Sequence, residues 1–231
     1  MIWQRLTDIL ICGLLIYSMV LIFFYLFIGV FSIIETRKHL HRSKFSDPRV
    51  LATSPDAPGI SVIAPAYNEA GTIIDNVRSL LSIYYEKLEI IIVNDGSRDD
   101  SLKKLIDFYH LVQVPFFIHE ELKTKKVRGI YKSTTKAFRK LTVIDKENGG
   151  KADSLNAGIN VASHELVVSI DVDCILEQDA LLKIVMPFLD KSTAPVICSG
   201  SVIRIANSCL VENGKLIKVN LPEETLPRMQ T

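Results

Sequence analysis

Between residues 9 and 34 the chain carries no charged side chain: ILICGLLIYSMVLIFFYLFIGVFSII. A helix crossing the hydrocarbon core of a bilayer needs about 20 apolar residues, so this run is long enough to span with some tilt. Trp3 stands where an interfacial anchor stands, and Tyr17 and Tyr25 are compatible with the same reading. A cleaved signal peptide has a shorter apolar stretch of about 7–15 residues that ends in small residues. Here the run ends in Ser-Ile-Ile-Glu. A buried core helix is the remaining possibility, and so long an uninterrupted apolar stretch argues against it. Arg5 is the one basic side chain before the run, whereas Arg37, Lys38, Arg42 and Lys44 follow it. The positive-inside rule therefore directs the C-terminal side to the cytoplasm.

This feature divides the chain. Residues 1–36 are expected to form a transmembrane helix with its flanks. Residues 37–59 form a basic juxtamembrane linker containing Pro48, Pro55 and Pro58, and residues 60–231 form a soluble domain. With 48% hydrophobic residues, the chain retains enough apolar side chains for a core after the membrane segment is set aside. A net charge of +1 gives no general electrostatic case for nucleic acid, and none is expected as a partner. Cys12, Cys174, Cys198 and Cys209 lack zinc-ligand spacing and read as buried reduced thiols.

In the soluble part, short apolar runs alternate with helix-period segments. Strands are expected at 60–64, 88–93, 141–145, 166–170 and 196–205, with a further candidate at 114–119. Helices are expected at 72–82, from 101 to near 110, at 152–162 and at 178–189. The basic segment 120–140 is ambiguous; its lysines and arginines fit a solvated helix face or a surface beside anionic headgroups. This order implies an α/β fold with a mostly parallel sheet and helices on both faces. Ligands of such sheets bind beyond the carboxyl ends of the strands. The clusters Tyr67-Asn68-Glu69, Asn94-Asp95-Gly96-Ser97 and Asp171-Val172-Asp173 each follow an expected strand, so they converge on one edge.

Each cluster has a chemical and a bland reading. Asp171 and Asp173 are hard oxygen ligands suited to Mg²⁺ or Mn²⁺ beside substrate phosphates, but a D-x-D is also a common solvated turn. Asp95 sits where a nucleobase or ribose could be hydrogen-bonded, whereas Ser97 and Asp99 read as helix-capping residues. Gly149 and Gly150 allow a ligand close to the backbone, and the helix that follows offers amides and a dipole to phosphate. Lys151 adds a positive charge there, although a helix start with a solvated lysine fits equally. Neither a Walker loop nor a G-x-G-x-x-G is present.

Taken in order, Ala-Pro-Ala-Tyr67-Asn68-Glu69, Val-Asn94-Asp95-Gly-Ser, Asn148-Gly-Gly-Lys151-Ala-Asp-Ser-Leu-Asn-Ala-Gly and Asp171-Val-Asp173 resemble the family 2 glycosyltransferases of GT-A fold. With the membrane helix they are similar to processive synthases of the poly-N-acetylglucosamine, chitin and hyaluronan type. The resemblance implies that Tyr67 and Glu69 line a uracil pocket and that Asp95 contacts the uridine. It implies that Lys151 sits by the diphosphate, and that Asp171 and Asp173 bind the sugar nucleotide and its Mg²⁺ or Mn²⁺. The implied reaction is inverting transfer of a sugar, N-acetylglucosamine by preference, from a UDP-sugar donor to a glycan or lipid-linked acceptor at the cytoplasmic membrane face.

The sequence departs from the family pattern after the donor half. No acidic general base in a Glu-Asp setting and no Gln-x-x-Arg-Trp motif follow, and Glu223-Glu224 sit in a different context. The expectation is a donor half that binds UDP and metal and transfers sugar poorly by itself. A non-catalytic nucleotide-sugar-binding partner subunit is the alternative. A sugar nucleotidyltransferase is disfavoured, because Pro65-Ala-Tyr-Asn-Glu is no glycine-rich loop.

Overall fold

The computed structural model describes residues 2–43, 57–118, 120–189, 195–201, 209–212 and 215–218. The chain divides into two units, Met1–Asp47 and Pro48–Thr231.

The first unit is one helix, α1 (Ile2–Ser43). Its stretch Trp3–Lys38 is long and apolar enough to cross a membrane. The apolar side chains from Trp3 to Ile34 are exposed. The Ser18 hydroxyl returns to the Leu14 carbonyl at 2.8 Å, which satisfies a polar group on this apolar helix. The helix runs past the expected boundary at 36. No proline intervenes before Pro48, and the Glu35–Lys38 pair at 3.4 Å supports the extra turns. Of the expected linker, residues 44–56 lie outside the described residues.

The second unit is built on a six-stranded sheet: β1 (Ile60–Ala66), β2 (Leu88–Asp95), β3 (Leu111–Val114), β4 (Val127–Ser133), β5 (Leu141–Lys146) and β6 (Leu166–Ser169). The spatial order is β3-β4-β5-β2-β1-β6. β5, β2, β1 and β6 are parallel, and β3 and β4 extend the sheet antiparallel beyond β5. The inner strands read as near-continuous apolar runs because both their faces are covered. On one face, Val62, Ala64, Ile90, Ile92 and Val143 pack against α2 (Ile73–Leu81), α3 (Ser101–Tyr109) and α5 (Ala180–Leu189). On the other, Ile63, Ile91, Val93, Ile130 and Ile144 meet α4 (Lys151–Val161) through Ala157. Each fully buried Val or Ile among them contributes about 1.5–3 kcal/mol. Gly158 of α4 sits directly on the Ile63 side chain, and any Cβ there collides with it, so glycine sets the depth at which α4 packs. The mostly parallel α/β sheet with helices on both faces, expected from the sequence, is the fold observed. A separate hairpin pairs β7 (Leu210–Glu212) with β8 (Lys215–Lys218).

Three local expectations change. The strand expected at 114–119 is β3 at Leu111–Val114; Pro115 has no N–H to continue the ladder. The basic segment holds no helix face. Val127–Ser133 is a strand between β3 and β5, and only Lys136–Phe138 forms a 3₁₀ turn. Within 196–205, the described residues to 201 form no strand, and Ile197 is 96% exposed. An apolar run without a ladder partner does not make a strand. The thiols also differ: Cys12 and Cys198 are exposed and Cys174 is half-buried, because they lie on the surface of α1 and in loops.

Candidate functional site

β1, β2, β5 and β6 all point their carboxyl ends to one edge, and the expected clusters stand there. After β1, Tyr67 is half exposed and Asn68 turns the chain with φ 57°. The loops after β1 and β2 are laced together. Asn68 N–H donates to Ser97 Oγ (3.0 Å), Arg98 N–H to Asn68 Oδ1 (2.8 Å), Glu69 N–H to Ser101 Oγ (2.9 Å) and Ala70 N–H to Asp99 Oδ2 (2.9 Å). Asp99 also accepts the Ser101 N–H at the start of α3, but the N-cap position is Asp100 and carries no side-chain cap, so neither Asp99 nor Ser97 is the expected N-cap; Ser97 serves the neighbouring loop. Burial alone would raise the Asp99 carboxyl, but hydrogen bonds from the Ser101 hydroxyl and the Ala70 and Ser101 amides hold it below the usual range. Glu69 takes the Thr72 hydroxyl at 3.1 Å.

Asp95, at the tip of β2, is almost wholly buried and fully engaged. Its Oδ1 accepts Lys146 Nζ (2.7 Å) and Gly149 N–H (2.9 Å), and its Oδ2 accepts Gly150 N–H (2.8 Å) and Asn148 Nδ2 (3.2 Å). Burial pushes this carboxyl up, and the Lys146 and glycine-amide hydrogen bonds outweigh that and hold it below the ordinary value. Gly150 has φ +87°, a conformation open to glycine, which turns the loop into α4. Lys146, the last residue of β5, is the centre of the cluster and has no solvent exposure. Besides Asp95 it meets Asp153 Oδ2 (2.5 Å) and the Glu147 carbonyl (2.7 Å). Asp153, in the first turn of α4, also takes the Lys125 N–H at 3.0 Å. Three segments thus close on one buried ammonium group.

Lys151 opens α4 and reaches Asp171 after β6 in an ion pair. The hydrogen bond to Asp171 raises the Lys151 ammonium above its ordinary value. Ligand atoms of Asp171, Asp173 and Cys174 lie within 4.8 Å of one another. A turn holds them there, with Cys174 N–H donating to the Asp171 carbonyl at 3.0 Å. Burial, then the Asp173 charge, pushes the Cys174 thiol up.

The structure therefore joins Lys151 to Asp171 and sets Asp173 beside them. It places Asp95 under the glycine loop that precedes Lys151. Tyr67 and Glu69 stand one strand away and, among the described residues, share no hydrogen bond with the other four. Lys146, Asp153, Asn94, Asp145 and Arg128 are the residues that sequence reasoning left without a role. The alternation Ile144-x-Lys146 in a buried strand was the available signal for Lys146.

A family model described as Glycosyl transferase family 2 matches residues 61–129 and 122–208. The chain belongs to this family. Poly-β-1,6-N-acetyl-D-glucosamine synthase of Staphylococcus aureus strain MSSA476 is 35% identical over 122 residues, 53% of this chain and 23% of the relative. The Staphylococcus epidermidis synthase of the same name is 31% identical over 153 residues, 66% of this chain and 31% of the relative. The chain thus spans less than a third of the length of these curated relatives. Among solved structures, mannosyltransferase PcManGT from Pyrobaculum calidifontis, in complex with GDP-Man and Mn²⁺, is 24% identical with a TM-score of 0.44. That match covers 62% of this chain and 38% of the other. TarS 1–349 of S. aureus in complex with UDP-GlcNAc is 23% identical with a TM-score of 0.40, covering 58% and 31%.

Proposed function

We propose that this family 2 glycosyltransferase chain forms a site for a UDP-sugar and a divalent cation, and that it serves sugar transfer to a glycan or lipid-linked acceptor at a membrane. The observation that carries the reading is the meeting of Lys151, the Gly149-Gly150 loop and the Asp171–Asp173 pair at one edge of the sheet.

The donor set fits the cation. Two carboxylates with oxygens within 4.8 Å of each other, both exposed, are hard ligands that leave positions for phosphate and water. Asp171 and Asp173 would hold Mg²⁺ or Mn²⁺, which when bound would neutralise charge on the departing diphosphate. Lys151 supplies a further positive charge to the diphosphate by exchanging its Asp171 partner for phosphate oxygens. The start of α4 presents backbone N–H groups and the positive end of its dipole to the same oxygens. In this reading Tyr67 and Glu69 line the base pocket, and Asp95 acts on the uridine side of the site. The preferred sugar is N-acetylglucosamine, in keeping with the names of the staphylococcal relatives, and the transfer is inverting. In this reading the helix α1 carries the membrane segment, with the expected linker shortened because the helix runs on to Ser43, and residues from 60 onward form the catalytic region. The basic residues after α1's apolar run favour a cytoplasmic location for that region.

Calorimetric titration of UDP into the detergent-solubilised chain, with Mn²⁺ and then with chelator, tests the reading. Binding that needs metal and disappears in Asp171→Ala/Asp173→Ala is the expected result. A folded protein that binds no UDP under either condition refutes it.

A further inference from the structure

A second polar row crosses the tips of β2, β5 and β4, on the sheet face opposite α4. The register sets Asn94 beside Asp145, and Asn94 Nδ2 donates to Asp145 Oδ1 at 2.7 Å. Arg128 Nη2 donates to the same oxygen at 2.6 Å. A carboxylate only accepts, so the Asn94 amide must turn its NH₂ toward Asp145. Its Oδ1 then accepts no hydrogen bond from any described group, although Asn94 is only 2% exposed. A buried acceptor left open is costly and calls for a partner.

Arg128 reaches this row through an irregularity. Val127 pairs with Lys146 and Gly129 with Asp145, so Arg128 is an extra residue in β4. Val127 and Ile130 both keep their places in the cluster beneath α4, while Arg128 is turned to Asp145. Bulges of this kind re-aim a side chain, often beside a functional site. The Arg128 side chain remains 45% exposed while Asp145 is 9% exposed, so one edge of the guanidinium is tied and the other is open. The row adjoins the expected base pocket. Ala66 pairs with Asn94, and Tyr67 comes next in the chain. From β4 to β5 is one strand spacing, about 5 Å, which the Arg128 side chain crosses to reach Asp145, and β2 lies one spacing further on.

We propose that Arg128 is a specificity-determining residue for the donor nucleotide, donating from its open N–H groups to a carbonyl oxygen of the base and selecting uracil over cytosine. The inference rests on the donor-site reading above. Guanidinium donates and never accepts. Uracil offers a carbonyl oxygen where cytosine offers an amino group, and an N–H where cytosine offers a lone pair. The half-exposed guanidinium of Arg128 is a donor that matches the uracil carbonyl and mismatches the cytosine amino group.

The test is calorimetric titration of the full chain in detergent with UDP and with CDP, in the presence of Mn²⁺. The wild type is expected to prefer UDP. Arg128→Ala is expected to weaken UDP binding roughly 10- to 100-fold, the range for a hydrogen bond to a charged group, and to leave CDP binding within about twofold. Should loss of the Asp145 partner unfold that variant, Arg128→Met/Asp145→Asn leaves no uncompensated carboxylate, keeps an acceptor for Asn94 and decides on the same ratio. Wild type that binds both nucleotides equally, or variants that keep the wild-type UDP/CDP ratio, overturn the proposal while the donor site stands. A folded wild type that binds no UDP overturns both.

Discussion

Replacing Lys146 with Met probes the buried cluster under the glycine loop. Lys146 has no solvent exposure, its partner Asp95 is 6% exposed and Asp153 is 20% exposed at the side chain. Placing an ammonium and two carboxylates there costs desolvation, so the intact cluster need not be strongly stabilising. Removing the ammonium alone is a different matter, because two carboxylates then face each other without a counter-ion. Breaking buried pairs this way costs about 3–5 kcal/mol. For a domain of this size each kcal/mol lowers Tm by about 2–4 °C, so a fall of roughly 6–20 °C is expected. Thermal and urea unfolding of the detergent-solubilised chain read it directly. The double variant Lys146→Met/Asp153→Asn is expected to recover about 1 kcal/mol or more, since one stranded charge is gone and contacting residues are not additive. A single variant within about 1 kcal/mol of wild type, or strict additivity in the double, refutes the argument that Lys146 holds the cluster.

Three further outcomes follow from other parts of the fold. Gly158→Ala drives a methyl group into Ile63 and is expected to cost about 1–3 kcal/mol in denaturant unfolding, with ordinary helix propensity predicting a gain instead. Asp99→Ala removes the acceptor shared by the Ala70 amide and Ser101; because Asp99 is exposed, about 1 kcal/mol is expected in the same assay. Asp95, held below the usual carboxylate range, binds fewer protons folded than unfolded, so its contribution is complete above the ordinary value near 4 and vanishes as pH falls through the folded value. Stability measured from pH 6 to pH 2 is expected to drop at the acid end, and Asp95→Asn flattens that part of the curve.

The parallel core was legible because its strands are buried on both faces and write themselves as apolar runs such as Ile90-Ile91-Ile92-Val93. Their ends were legible too, since polar clusters follow them. β4 was not: Arg128 and Lys132 interrupt its apolar residues, and the bulge at Arg128 breaks the alternation that marks a strand. Lys146 was passed over because a lysine in sequence reads as solvated, and the two carboxylates that neutralise it lie seven residues ahead in α4 and far back in β2. At Asp95 the strand end was legible but its partners were not: its oxygens accept from Lys146 and from the Gly149 and Gly150 amides, which lie more than fifty residues away in sequence. Residues 196–201 have strand composition, and composition says nothing about whether a neighbouring strand is available to pair with them.

The two antiparallel strands have a bearing on solubility. β5 has six residues, all buried, and without β3 and β4 it would be the rim of the sheet, offering a row of unpaired amides and carbonyls on an apolar ribbon. Such a rim templates the addition of another chain. Instead the outermost strand on that side is β3, four residues long and closed off by Pro115, which cannot extend the ladder. The segment that carries Arg128 thus also guards against self-association. A chain trimmed of it for simplicity loses its protection from stacking edge to edge.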